Sequence, residues 1–288
     1  MMVLHRDTGV LEHRHIADIV DYITAKDLLV VNDTKVFPAR LLGKWADSPG
    51  AVEVLMIAAS PESETTKELV WNCMLGSGRK CREGQEAVFG PKNELRVKLL
   101  KALSGIGMWK VQFICERPLM ELLDEFGHTP VPPYVKREGT REEELEDRER
   151  YQTIYAKHVG SVAAPTAGLH FTPEIFAALE AKGVKRVAVT LHVGPGTFRP
   201  VKAENIEDHQ MDFEAFSVGK RRPRRFVRAR RGEGVYFVWA RPRCVRSRRW
   251  PRVRVKVPRM MTSSSWRARA RPTSLFIHRM NSRFAIVC

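Results

Sequence analysis

Residues 28–35 read LLVVNDTK, an apolar and partly β-branched run that turn-forming residues follow at once. An unbroken apolar run of this length is typical of a strand buried on both faces, as in a parallel sheet. Asn32, Asp33 and Thr34 carry side chains that favour a turn. In α/β sheets the ligand crevice lies outside the carboxyl ends of the strands. The stretch therefore predicts an α/β fold with a candidate ligand site directly behind this strand.

Helical patterns lie on both sides of this strand along the chain. Ile16, Ile19, Val20 and Ile23 follow the spacing of one helix face and predict an amphipathic helix over about 14–24. The segment 119–126 predicts a helix that Gly127 would end. Residues 130–133 read as an extended linker. The charged stretch 141–150 predicts a helix that ends near His158.

The best-marked helix begins at Thr172. This residue is a candidate N-cap, Pro173 suits the first helical position, Glu174 suits the first turn, and Gly183 suits the position after the helix. The apolar run 184–191 then predicts another strand. Strands and helices alternate here as they do around residues 28–35, which supports the α/β assignment.

Residues 39–117 have a different sequence pattern, in which short β-rich pieces alternate with Gly, Pro and Asp turns. The pieces are 39–45, 52–57, 69–75, 87–89, 95–100 and 108–115. This spacing predicts a small antiparallel barrel or sandwich. We therefore expect an α/β sandwich-like domain (1–38 and 118–218) with an inserted β-barrel (39–117). The Arg-rich tail, 219–288, has no predictable fold.

Charge is distributed unevenly along the 288 residues. The chain carries 49 Lys and Arg against 33 Asp and Glu, a net charge of +16. Residues 1–218 hold 27 basic and 32 acidic residues, whereas residues 219–288 hold 22 basic residues and one acid, Glu233. Net positive charge suggests a polyanionic partner such as nucleic acid. That inference applies to the tail alone.

Composition excludes several classes of protein. No run of about eighteen apolar residues occurs, so we expect no membrane helix, and the N-terminus lacks the apolar core of a signal peptide. The five cysteines are scattered without a C-x-x-C pair, which argues against a disulfide framework and a zinc site. We expect reduced thiols, a cytoplasmic location and no metal.

Unusual loops follow the predicted strands, whereas the common nucleotide-binding signatures are missing. The loops span 32–41, 160–171, 190–198 and 208–211. They supply Asp33 and the imidazoles of His170, His192 and His209. Each loop alone has a plain structural explanation, as a turn, a core histidine or close packing of small residues. Their shared position at strand ends favours a site.

Long motifs in these loops resemble one family. Leu28–Leu41 reads LLVVNDTKVFPARL, Tyr151–Phe171 reads YQTIYAKHVGSVAAPTAGLHF, and Thr190–Val201 reads TLHVGPGTFRPV. Together with 50–53, 132–135 and 208–214, they resemble the S-adenosylmethionine:tRNA ribosyltransferase-isomerases of queuosine biosynthesis. The likeness covers residues 3–218. It implies an α/β domain with an inserted barrel, a monomer, and a transferase that acts on tRNA.

The reaction that the resemblance implies moves the ribosyl part of S-adenosylmethionine to the aminomethyl group of a 7-deazaguanine wobble base. Epoxyqueuosine forms, and adenine and methionine leave. S-adenosylmethionine is thus a consumed co-substrate, and no cofactor is expected. The amine must be neutral to attack and adenine must be protonated as it leaves, so acid/base groups are needed. His170 and His192 are the first candidates, followed by His209 with Asp208.

The remaining candidates bind substrate. Asp33 would bind the aminomethyl cation or a ribose hydroxyl. Lys35 and Arg40 suit a phosphate or the methionine carboxylate. The small residues of the second loop let a ligand approach the backbone closely. The other positions assigned to substrate binding are Gly160, Thr166, Gly168 and Thr197.

Two departures from the family pattern bear on activity. Relative to the family pattern, we expect the usual N-terminal helix and Arg-Ser loop to be missing, and the likeness stops after Val218. A short family-like fragment returns at 273–278. We expect a reading-frame shift, which translation of the gene in all frames would test. A genuine basic tail that binds tRNA phosphates is the alternative. A catalytically dead RNA-binding remnant and an unfolded product also stay open.

Overall fold

The structure is a computed structural model, and it describes residues 1–5, 8–63, 68–132, 135–198, 214–217, 236–239, 268–270 and 284–287. The strands in this part of the chain are β1 (Met2–His5), β2 (Leu11–His13), β3 (Leu28–Asn32), β4 (Thr34–Val36), β5 (Arg40–Trp45), β6 (Ala51–Ala59), β7 (Leu69–Ser77), β8 (Glu86–Phe89), β9 (Leu95–Ala102), β10 (Met108–Ile114), β11 (His158–Ser161), β12 (Lys185–Leu191), β13 (Glu214–Ser217), β14 (Tyr236–Trp239), β15 (Ala268–Ala270) and β16 (Phe284–Val287). The α-helices are α1 (Ile19–Tyr22), α2 (Leu119–Phe126), α3 (Arg141–Arg150) and α4 (Pro173–Ala181). Single 3₁₀ turns occupy Ile16–Asp18, Thr166–His170 and Pro195–Phe198.

The central sheet is built around β3, as its sequence predicts. The strand order is β14-β3-β12-β13-β15, and β3 is parallel to both of its neighbours. All five residues of β3 are buried, which explains the absence of polar alternation in LLVVN. β13 then pairs antiparallel with β12. The fold class predicted from the sequence, α/β with an inserted barrel, is confirmed.

Predicted helix 14–24 is shorter and less regular than expected. It consists of the 3₁₀ turn Ile16–Asp18 and the four-residue α1. Ile23 is already extended at φ −111°, because the Asp27 carboxylate accepts hydrogen bonds from the backbone and hydroxyl of Thr24 and closes a turn before β3. The apolar face nevertheless packs on the sheet, with Ile19 and Ile23 fully buried.

Helix α4 has the ends that the sequence predicts. Thr172 accepts a hydrogen bond from the Ile175 backbone through its hydroxyl, and Pro173 is the first helical residue. At the other end Gly183 has φ +77° and donates to the Glu180 carbonyl, while Val184 donates to that of Leu179. This pair of bonds is a Schellman motif, which explains the glycine.

Removing the N-cap of α4 is expected to destabilise the protein. In Thr172→Ala the Ile175 amide loses its acceptor, so the free energy of unfolding should fall by about 1 kcal/mol. Denaturant unfolding of the two proteins measures the difference. Thr172→Ser keeps the hydroxyl and should stay near the wild type. An equal loss in both variants would mean that the methyl group, rather than the cap, is responsible.

The six predicted β pieces between 39 and 117 close into one antiparallel barrel. The strand order is β10-β7-β6-β5-β8-β9, and β9 pairs with β10 to complete the circle. Inward side chains form a continuous core that includes the fully buried Leu41, Trp45, Phe89 and Leu99. Closure leaves no free strand edge in the barrel. The domain boundaries assigned from the sequence stay a prediction.

Gly127 follows α2 as predicted, but for a different reason. Its φ of −77° is ordinary, so no left-handed conformation is needed. A Cβ at this position would lie 2.5 Å from the carbonyl oxygens of Leu123 and Pro38. The glycine therefore allows the end of the helix to approach the segment that leads into the barrel.

The helix predicted to end near His158 ends earlier. Helix α3 stops at Arg150, and His158 begins strand β11. Between these two elements the side-chain amide of Gln152 makes two hydrogen bonds with the Val36 backbone, at 3.0 and 2.8 Å. These bonds replace those that a residue of a neighbouring strand would make with Val36. β11 then pairs parallel with β4, which brings His158 opposite Thr34.

Glu144 of α3 ties the helix to the segment beside the barrel. Burial by itself would raise the pKa of Glu144, but hydrogen bonds from His128, Thr129 and Arg148 outweigh burial and lower that pKa to about 2. His128 in turn forms an isolated bridge with Arg40 at the start of the barrel.

Lowering the pH should weaken the hydrogen bonds that the Glu144 carboxylate accepts. A carboxyl with a lowered pKa in the folded state stabilises the protein above its ordinary pKa, and the contribution is lost as pH falls toward the folded value. Between pH 6 and pH 3 the free energy of unfolding should drop by up to about 2 kcal/mol more in the wild type than in Glu144→Gln. Urea denaturation at both pH values measures this, with the exposed Glu149→Gln as control. Equal drops in all three proteins would contradict the assignment.

The remaining described strands extend beyond the predicted elements. β1 lies between β2 and β16, and β14, β15 and β16 fall within 219–288, for which the sequence predicts no fold. The part of the chain described above contains no helix long and apolar enough to span a membrane.

Candidate functional site

The candidate site lies at Asp33, the single residue between strands β3 and β4. Asn32 ends β3, and its side-chain amide bonds the backbone N–H and C=O of Leu191, both at 2.9 Å. This side chain extends the β3–β12 pairing past the end of the strand. The chain can then leave the sheet at Asp33 and pair as β4 with β11 instead. The carboxyl ends of β3 and β12 are thus held together, as the sequence predicts.

Asp33 is held on every side at this break. Its backbone N–H donates to Val189 at 2.9 Å, and its carbonyl accepts from Lys157 at 2.8 Å and His158 at 3.1 Å. Its carboxylate is only 5% exposed and accepts a 2.6 Å hydrogen bond from the Thr190 hydroxyl. The second carboxylate oxygen lies 3.8 Å from Nε2 of His158. Asp33 is therefore a fixed, nearly buried carboxylate facing an imidazole.

His192 lies directly beyond the end of β12. Thr190 and His192 are two residues apart, so they point to the same side of the strand. Nδ1 of His192 forms a 2.8 Å hydrogen bond with the Thr34 hydroxyl, and its backbone donates to Ala215. Burial first, and then the charge of His158, lower the pKa of His192, although Asp33 opposes this. The ring is therefore held in a fixed orientation and favours its neutral form.

Gly160 packs against the ring of His192. It follows His158 by two residues on β11, where the pairing with β4 shifts register between Val159 and Ser161. Its φ is +146°, and a Cβ there would lie 2.8–3.0 Å from three ring atoms of His192. The sequence assigns Gly160 to close approach of a ligand. In the structure the His192 ring fills the space beside its α-carbon.

Asp33, Thr34, His158, Thr190 and His192 form one cluster of contacting side chains. Other predicted residues lie outside this cluster. His170 is exposed at the end of its 3₁₀ turn, and its side chain makes no hydrogen bond or ion pair with another described residue. Lys35 is exposed on β4, beside Val159. Thr166 begins the 3₁₀ turn and is half-buried. The structure thus brings together Asp33 and His192, but not His170. Whether these residues act on substrate stays a prediction.

Gly168 marks a second close approach in the same loop. A Cβ on Gly168 would run into the hydroxyl of Tyr155 and lie 2.8 Å from the methyl group of Thr153. Burial raises the pKa of Tyr155, and the ring of this residue packs edge-on against Phe176. The small residue is therefore required by protein packing on this side.

Arg40 is already occupied by a protein carboxylate. Its guanidinium makes a two-pronged ion pair with Glu53 on the outside of the barrel, at 3.0 and 3.1 Å. Thr197 lies half-buried in the 3₁₀ turn Pro195–Phe198. Asp208 and His209 lie outside the described residues. The binding roles of Arg40, Thr197 and Asp208 and the catalytic role of His209 stay predictions.

Sequence reasoning missed His158, Thr34 and Thr190 as members of the cluster. His158 was placed at a helix end because the charged run before it masks the change to a strand. The available signal was the β-branched Val159 behind it, which fits a strand better than a helix. Thr34 and Thr190 are ordinary strand residues by sequence. Only their register shows that they hold Asp33 and His192.

The cluster offers acid/base chemistry rather than a built metal site. Among the residues that the structure describes, no group of three His, Cys, Asp or Glu side chains is arranged to hold a metal ion. A cleft of about 670 Å³ lies at the opposite ends of β3 and β12, beside Lys26, Lys185 and Arg186. It is remote from Asp33 and is lined by none of the cluster's side chains.

Comparisons with known proteins agree with the sequence motifs. A model of the family described as queuosine biosynthesis protein matches residues 1–240, past both ends of the resemblance noted above. The S-adenosylmethionine:tRNA ribosyltransferase-isomerase of Desulfitobacterium hafniense is 43% identical over 230 residues, which are 80% of this chain and 63% of that protein. This chain therefore spans just under two thirds of that relative's length. A crystal structure of S-adenosylmethionine tRNA ribosyltransferase from Thermotoga maritima is 26% identical, with a TM-score of 0.29, over 82% of this chain and 59% of that one.

Proposed function

The chain belongs to the family of queuosine biosynthesis proteins, and we propose that it transfers and isomerises the ribosyl group of S-adenosylmethionine onto tRNA. The acceptor is the aminomethyl group of a 7-deazaguanine base at the wobble position. The product is epoxyqueuosine, with adenine and methionine released. S-adenosylmethionine is consumed in the reaction. The name of the 43% identical relative supports the transferase and isomerase chemistry.

One observation supports this function most directly: Asp33 and His192 converge where β3 and β12 end. The transfer needs a base that removes a proton from the attacking amine. A half-buried imidazole with a lowered pKa remains neutral at neutral pH and can accept that proton. Asp33 supplies a nearby negative charge that suits the cationic aminomethyl group before it reacts.

Substrate binding is assigned to the loops around this cluster. Lys35 is exposed beside β11 and suits a phosphate or the methionine carboxylate. His170 is the other proposed acid/base group, and it reaches the substrate only if the substrate spans the loop 160–171. Gly160, Thr166, Gly168 and Thr197 line this loop and its neighbour. Arg40 can bind substrate only by exchanging its partner Glu53.

Adenine release tests the proposal. The full chain is incubated with S-adenosylmethionine and tRNA that carries 7-aminomethyl-7-deazaguanine, and adenine and epoxyqueuosine are measured by mass spectrometry. Turnover that depends on the modified base supports the function. Salt-dependent tRNA binding without adenine release would favour the RNA-binding remnant. The proposal also includes a cytoplasmic, monomeric protein, which fractionation and light scattering test.

A further inference from the structure

The cluster contains two imidazoles and one carboxylate, and the family motifs did not single out the second imidazole. His158 contacts Asp33 through its backbone and through its ring. Its backbone N–H donates to the Asp33 carbonyl at 3.1 Å, and its Nε2 lies 3.8 Å from the Asp33 carboxylate. This second distance is that of an ion pair and exceeds a direct hydrogen bond. The backbone bond fixes the start of β11 and so directs the ring toward the carboxylate.

His158 and His192 differ in their exposure and in the groups that they contact. His192 is half-buried, with Nδ1 bonded to Thr34 and Gly160 against its ring. The His158 side chain is 49% exposed and faces the Asp33 carboxylate. A second positive charge beside the first would be unfavourable, because only one carboxylate is shared by both rings. Of the two rings, the exposed ring of His158 is the one that faces the Asp33 carboxylate at ion-pair distance.

The charged and titratable groups around His158 can be named from each neighbouring element. Asp33 faces it from the β3–β4 break, and His192 from the end of β12. On β4 its register partner is Thr34, and the next residue is the exposed Lys35. Lys157 precedes it in the chain. Asp33 is therefore the nearest negative group among the described residues of these elements.

Resting on the proposed function, we propose that His158 is a further catalytic residue: it is the acid that protonates departing adenine, while His192 is the base. As the bond between the ribose carbon and the adenine nitrogen breaks, its electrons stay on adenine. The proton passes from the His158 imidazolium to adenine, which leaves neutral. The amine nitrogen forms its new bond to the ribosyl group and gives up its proton to neutral His192. Proton exchange with solvent then restores both rings.

The pH dependence of adenine release tests this assignment. The wild-type profile should be bell-shaped, because His192 must be neutral and His158 protonated. His158→Gln should lower the rate by about 10²- to 10⁴-fold and abolish the alkaline limb, whereas His192→Gln should abolish the acidic limb. The exposed His13→Gln serves as control. An unchanged alkaline limb in His158→Gln would overturn the proposal, whatever the size of the loss.

Proton NMR of the histidine rings tests the pair without any turnover. Asp33→Asn should change the ring-proton chemical shifts of His158 at a fixed pH, since it removes the carboxylate that faces this ring. If Asp33→Asn does not fold, His192→Gln replaces it and should change the same shifts. Unchanged His158 ring shifts in the folded variant would contradict the pairing. Absence of turnover in the wild type would refute the proposed function, and the ring shifts alone would then decide the pairing.

Discussion

Replacing His192 by glutamine is expected to slow adenine release by about 10²- to 10⁴-fold, the range for loss of a positioned acid/base group. Glutamine is close to histidine in size and can keep a hydrogen bond to the Thr34 hydroxyl, but it cannot accept the amine's proton. Because burial and the nearby His158 lower the pKa of His192, the neutral form persists to lower pH than in an ordinary histidine. The loss should therefore appear across the neutral range, measured in single-turnover assays.

Comparison with His170→Gln separates the two imidazoles proposed from the sequence. His170 is exposed and lies outside the cluster, so its replacement should cost less than that of His192. The melting temperatures of both variants must match the wild type for the comparison to hold. A larger loss in His170→Gln than in His192→Gln would transfer the acid/base role to His170.

Replacing Gly160 by alanine is expected to lower adenine release by about 10²-fold, because small displacements of catalytic groups have effects of this size. At φ +146° the new Cβ would lie 2.8–3.0 Å from three ring atoms of His192 and would push the ring away from Thr34. The strained backbone adds about 1–3 kcal/mol of destabilisation. Both effects should appear together, and the NMR midpoint of His192 should move.

Gly78→Ala is the matched control for this variant. Gly78 lies in the barrel region, its φ does not require glycine, and a Cβ there would have nothing within 4 Å. It should keep both the activity and the stability of the wild type. Full activity in Gly160→Ala, with His192 titrating as before, would show that the ring has room to move and that Gly160 does not position it.

Much of the architecture follows from local patterns. The apolar run before Asn32 predicted a buried parallel strand because solvent reaches neither of its faces. The caps of α4 were predicted because Thr172, Pro173 and Gly183 each satisfy a local backbone requirement. The helix over 14–24 was predicted too long, because the hydrogen bonds of Asp27 outweigh its apolar periodicity.

The candidate site, too, could be predicted from the sequence only in part. The positions of Asp33 and His192 directly after strands could be predicted from the sequence, because strand ends and turn residues are local signals. Which groups meet there depends on the tertiary structure. Asp33 and Thr190 are 157 residues apart in the chain, and their contact depends on the register of β3 against β12. The same holds for His158, which faces Asp33 because β11 pairs with β4, and a pairing between distant segments leaves no local trace in the sequence.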